Sequence, residues 1–138
     1  MSEKKTFRVH AEIVAKLMED DVEDIVCTAI EGGIGYWCCL DNTTDAFEEA
    51  PDDEPTAITA AKVLLDGGKI RLLDEEDEDK PYFLDIEALM QGFRLWIERG
   101  YDYYGAVACN GEVDVEQIDA PAADAIFQLA LFGDVVYG

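Results

Sequence analysis

Three runs of carboxylates hold most of the chemistry this chain could perform. Asp20, Asp21, Glu23 and Asp24 form the first run; a second extends from Asp41 through Asp52, Asp53 and Glu54 with seven acids and no base. The third, Asp74, Glu75, Glu76, Asp77, Glu78 and Asp79, is unbroken. Grouped carboxylates can bind divalent cations, shuttle protons, or present a negative face to a basic partner. The third run lacks the sixth-position Gly and twelfth-position Glu of an EF-hand loop, so it predicts nonspecific cation binding and no dedicated metal site. Pairs able to do acid–base work on a glycoside are so numerous that spacing selects none of them. What remains is the charge itself: 32 acids against 10 bases, a formal net charge of −22 in 138 residues. Because 49% of the residues are hydrophobic, that charge belongs to a folded body rather than a disordered tail. Such a polyanion repels nucleic acid and anionic membrane and attracts basic surfaces over long range at low salt.

Other reactive residue types point to less. The single histidine, His10, stands near the N-terminus with no Ser or Cys nucleophile motif beside it, so no catalytic residue is expected. Cys27, Cys38, Cys39 and Cys109 lack the paired-knuckle spacing of a zinc site. Adjacent Cys38 and Cys39 would face opposite sides of a strand. They read as small hydrophobes in a reducing compartment, with a site shared among Cys27, one vicinal thiol, Cys109 and an acid as the weaker alternative. Gly32-Gly33-Ile34-Gly35 follows a helix, where carbonyls face outward, whereas phosphate loops open one. The glycines therefore read as a helix stop. Tyr36 and Trp37 could line a small pocket, but the pattern of one core and one surface residue fits adjacent aromatics better. No cofactor is implied.

These groups need elements to position them. Phe7, Val9, Ala11 and Ile13 alternate with Thr6, Arg8, His10 and Glu12, which predicts a strand over Thr6–Ile13. Val22, Ile25, Val26, Ala29 and Ile30 form a helical stripe between an Asp20 or Asp21 cap and Gly32-Gly33. Ile34–Leu40 reads as an apolar, central strand, and Thr56 as the cap of a helix through Leu65. Lys69–Leu73 and Tyr82–Leu84 flank the third acidic run, predicting a hairpin with that run at its tip. Asp85 caps a helix to Gly100, and Asp119-Ala-Pro121 starts another with Ile126, Phe127, Ala130 and Leu131 inward, closed by Gly133. Val135–Tyr137 predicts a last short strand. The sum is one α+β domain over residues 1–138, amphipathic helices on a small, mainly antiparallel sheet. No membrane span or secretory signal is present in the pattern, so a cytoplasmic protein is expected.

The segments Cys27-Thr-Ala-Ile-Glu-Gly-Gly-Ile-Gly-Tyr-Trp-Cys38 and Gln128-Leu-Ala-Leu-Phe-Gly-Asp-Val-Val-Tyr-Gly138 resemble small acidic proteins of bacteriophages and other mobile elements. The resemblance implies such an origin and carries no active site. Small acidic phage proteins include anti-CRISPR and antirestriction inhibitors, which occupy nucleic-acid-binding surfaces. The expected function is therefore a non-enzymatic inhibitor whose acidic runs dock on a basic nucleic-acid-binding host protein. Tyr103, Tyr104 and Trp37 would supply the short-range contacts. A small-ligand or metal-binding module, or an oligomeric accessory protein with an acidic solubility coat, stands as the alternative; oligomeric state is left open.

Overall fold

Helix α1 (Glu19–Thr28) begins inside the first acidic run because carboxylates favour the positive end of the helix dipole. Its N-cap residue is Met18 rather than an aspartate; Asp21, in the first turn, accepts the Met18 N–H at 2.9 Å. In a computed structural model of the chain, which describes residues 3–138, the α-helix gives way to a π-turn over Ala29–Gly33. That turn lies against the last helix so closely that a Cβ at Gly33 would sit 2.8 Å from the Ala120 carbonyl oxygen. Only glycine fits there.

The chain then bends back on itself, with the Trp37 and Cys38 N–H groups donating to the Ile34 carbonyl. Only Cys38–Leu40 (β1) is left to pair. The expected strand over Ile34–Leu40 is thus shorter, and it lies at an edge rather than the centre: β2 (Ile70–Asp74) runs between β1 and β3 (Pro81–Leu84), both antiparallel to it. Ile34 and Trp37 are apolar because they enter the core from a turn. A four-residue helix, α2 (Asp45–Glu48), interrupts the second acidic run. Helix α3 (Thr56–Leu65) takes Pro55 as its N-cap, which makes Thr56 the first helical residue and not the cap.

The hairpin of β2 and β3 forms as expected, with one correction. Ile70, Leu72 and Asp74 alternate inward, so Asp74 ends a strand on the core side and only Glu75–Lys80 form the tip. Helix α4 (Ile86–Glu98) is capped by Asp85, whose side chain accepts the Ala88 N–H at 2.8 Å. Helix α5 (Ala120–Phe132) is capped by Asp119 and closed by Gly133 at φ 70°. Its inner face is deeply enclosed: Ile126, Phe127, Leu129 and the polar Gln128 are fully buried, and Asp124 is buried beside them. Helix α4 approaches it at Gly92, where a Cβ would lie 2.5 Å from the Ile126 carbonyl oxygen.

The result is an α+β fold in which α3 packs on β2 and α5 on β3 of a three-stranded sheet, while α1 packs against α3 and α5. Two expected strands are absent. Val135–Tyr137 has no ladder and is held by side chains of α5. Thr6–Ile13 runs extended along the outside without forming a strand, leaving Phe7 85% and Val9 88% exposed. Alternation sets which side chains share a face, but a strand also needs a neighbour to complete its backbone hydrogen bonds. No described helix is long and apolar enough to cross a membrane.

Candidate functional site

The acidic runs lie on different elements that adjoin one another. In the first, Asp20 and Asp24 are exposed on α1, while Asp21 and Glu23 are half-buried. In the second, Asp52 and Asp53 are exposed, and Glu54 is drawn inward by the Thr59 hydroxyl, which donates to it at 2.7 Å, and by an ion pair with Lys62. The Lys62 ammonium joins the two runs. The Glu54 hydrogen bond, and then the fields of Glu54, Glu23 and Asp66, push its pKa above the ordinary lysine value. In the third run Glu75 to Asp79 are all exposed. Burial, followed by Glu75, Glu78 and Asp41, raises the Cys39 thiol, which lies between the start of the second run and the third run: the Glu75 N–H donates to the Trp37 carbonyl at one end of β1 and the Asp41 N–H to the Arg71 carbonyl at the other. Asp41 itself is buried and paired with Arg71 at 2.8 Å. The Thr43 hydroxyl and N–H, with Arg71, hold its carboxyl below the usual aspartate range.

Asp74 leaves this group. Its Oδ1 accepts the Glu76 N–H at 2.9 Å, and its Oδ2 accepts the Tyr82 hydroxyl at 2.8 Å and the Tyr137 hydroxyl at 3.2 Å. The Glu76 N–H first and the Tyr82 hydroxyl second keep its carboxyl ionised below the ordinary aspartate value. With three of about four lone-pair sites taken by internal donors and the side chain buried, Asp74 is a positioning residue for the hairpin.

Trp37, expected to be a contact residue, is also withdrawn. It is 3% exposed, stacks on Tyr137 at 4.9 Å between ring centres, and donates its Nε1 hydrogen to Asp124 at 2.7 Å. The surrounding network was not anticipated. Asp124 also accepts the Tyr36 hydroxyl at 2.6 Å and the Gln128 amide at 3.0 Å. The Gln128 amide nitrogen donates further to the Tyr137 carbonyl at 3.1 Å, and its oxygen accepts the Val136 and Tyr137 N–H groups at 2.7 Å each. This latch ties the C-terminal tail to α5 and to the turn that carries Tyr36 and Trp37. Asp124 and Gln128, a polar pair at i, i+4 within the otherwise apolar Ala-Ala-Asp-Ala-Ile-Phe-Gln-Leu-Ala-Leu stretch, were its signal in the sequence. Burial, then the bond to Asp124, pushes the Tyr36 phenol up to about 12, so it stays a donor throughout the neutral range.

Tyr103 and Tyr104 are 79% and 66% exposed. With Trp96, Tyr101, Asp119 and Pro121 they wall a cleft of about 290 Å³ at the α5 N-terminus. None of the three acidic runs contributes to that wall. The cysteines do not converge either. Cys38 is buried and Cys39 exposed on opposite sides of β1, Cys27 lies on α1 and Cys109 on a loop. Among the described residues no three His, Cys, Asp or Glu side chains are placed to hold one metal ion. Burial and the nearby Glu31, Glu23 and Asp24 raise Cys27 to about 11; burial raises Cys38 further, so both thiols stay protonated at neutral pH. The chain matches no protein-family model, no curated protein and no solved structure.

Proposed function

We propose that the protein is a phage-type inhibitor, of the anti-CRISPR or antirestriction class, that acts without catalysis by occupying the basic nucleic-acid-binding surface of a host defence protein. The observation that carries this reading is the set of exposed acids on three separate elements: Asp20 and Asp24 on α1, Asp52 and Asp53 ahead of α3, and Glu75–Asp79 at the hairpin tip. With 32 acids against 10 bases over the chain, few cations offset them. A nucleic-acid duplex carries about one charge per 1.7 Å of its axis, and a basic channel built for it attracts other negative surfaces. The exposed acids would act mainly on the rate of encounter, since exposed charges steer association more than they add affinity. Tyr103 and Tyr104 supply apolar contact at a separate place and would engage only a partner large enough to span both.

The reading is tested with purified CRISPR effectors and restriction endonucleases, each assayed for binding with and without its nucleic acid. Expected are competition by the nucleic acid and an association rate that falls steeply with salt. Replacing Glu75, Glu76, Asp77, Glu78 and Asp79 by their amides should slow association about tenfold or more at low salt. Binding that is indifferent to neutralisation of all three runs means that charge mimicry is not the mechanism.

A further inference from the structure

The first 16 residues invert the charge of the rest. They hold four of the ten bases, Lys4, Lys5, Arg8 and Lys16, and only two acids, Glu3 and Glu12, whereas the remaining chain carries six bases against 30 acids. From residue 3 onward this segment is an extended arm. Among the described residues its first backbone hydrogen bond to the body is from the Lys16 N–H to the Gly111 carbonyl, at 2.8 Å. Before that point the apolar face of the arm stands largely open, with Phe7, Val9 and Ile13 exposed. An exposed, alternating segment with unpaired backbone groups is a template for another strand.

The sequence of the arm says which strand. Antiparallel self-pairing centred on His10 sets Phe7 opposite Ile13, Val9 opposite Ala11, and Arg8 opposite Glu12, each pair occurring twice about a two-fold axis. Sliding the register by two residues in either direction loses both Arg–Glu pairs, so charge and pattern agree on one alignment. The arm also lies beside a groove of about 850 Å³ whose walls include Ala11 and Ile13 on one side and Met90, Phe93 and Ile97 of α4 on the other. In the centred register the second copy's Val9 and Phe7 fall next to Ala11 and Ile13, at the mouth of that groove. Glu12 already lies close enough to Arg94 to act on it electrostatically. The second copy's Arg8 would give that carboxylate a second cation.

We infer that the arm of one copy pairs antiparallel with the arm of a second copy, forming a two-stranded ribbon over α4 that joins two chains into a symmetric dimer. A basic arm does not suit the basic target proposed above, so this interaction is independent of that reading. It is tested by sedimentation equilibrium over a concentration series. The wild-type chain should reach twice its 15.3 kDa mass. Arg8→Glu and Glu12→Arg should each weaken the dimer about tenfold or more by opposing like charges, and an equimolar mixture of the two should restore it as a heterodimer. Phe7→Asp should abolish it. These side chains lie outside the core, so the far-UV circular dichroism of each variant should match the wild type and separate lost pairing from lost folding. A wild-type mass of 15.3 kDa at every concentration, or a dimer unmoved by both charge reversals, overturns the inference.

Discussion

Replacing Gln128 by Leu should release the C-terminal tail and cost a large share of the protein's stability. The side chain is fully buried and makes three hydrogen bonds to the backbone of Val136 and Tyr137. At about 1 kcal/mol net for each bond, their loss costs about 3 kcal/mol. A freed tail also gives up the Trp37–Tyr137 stack, worth about 0.5–1.5 kcal/mol, and the Tyr137 hydroxyl bond to Asp74. Against this, Val136 and Tyr137, the two residues the latch holds by their N–H groups, each regain about 1–2 kcal/mol of backbone freedom, so a net loss of about 1–3 kcal/mol is expected. An unfolding entropy of about 2.1 cal/mol/K per residue converts that to a fall in Tm of about 3–10 °C. Thermal denaturation followed by circular dichroism reads the fall, and tryptophan fluorescence reads the separate exposure of Trp37. Ending the chain at Asp134 removes the partners of Gln128, so Gln128→Leu should cost much less in that shortened chain. A Tm within about 1 °C of wild type, or equal costs in the two backgrounds, would refute the assignment of the latch to Gln128.

Two further outcomes follow from the packing and the carboxylates. Gly92→Ala should destabilise the fold by about 1–3 kcal/mol or more, measured by urea unfolding, because the new Cβ would meet the Ile126 carbonyl oxygen and Ala130 on the backbone of α5. Asp41 and Asp74 have carboxyls held below the ordinary aspartate value of about 3.9, so their contribution is complete above that pH and is lost as the pH falls through the lowered values. An acid titration of Tm should therefore show no loss from these groups between pH 7 and 5 and a steep loss below about pH 4. Asp74→Asn should flatten that acid limb and lower Tm by a few degrees at pH 7, whereas amide substitutions over Glu75–Asp79 should leave Tm within a degree or two.

The sequence by itself determined the α+β composition, the helices α1, α3, α4 and α5 and the β2–β3 hairpin, because their apolar periods, acidic caps and terminal glycines are local signals. It also determined the polyanionic character, which is a matter of counting. Tertiary structure decided which acids remain available. Asp74 and its neighbour Glu75 are the same type of residue in the same run, and only the inward phase of β2, with two tyrosine hydroxyls at its end, separates them. Trp37 went to the core through Asp124, and Tyr36 was drawn to Asp124 and Gln128, across separations of 87, 88 and 92 residues along the chain. The arm shows the converse. Its alternation names two faces, yet a strand exists only where a second strand completes its hydrogen bonds, and among the described residues none pairs with Thr6–Ile13. Local pattern fixes what a segment can become; long-range pairing fixes whether it does.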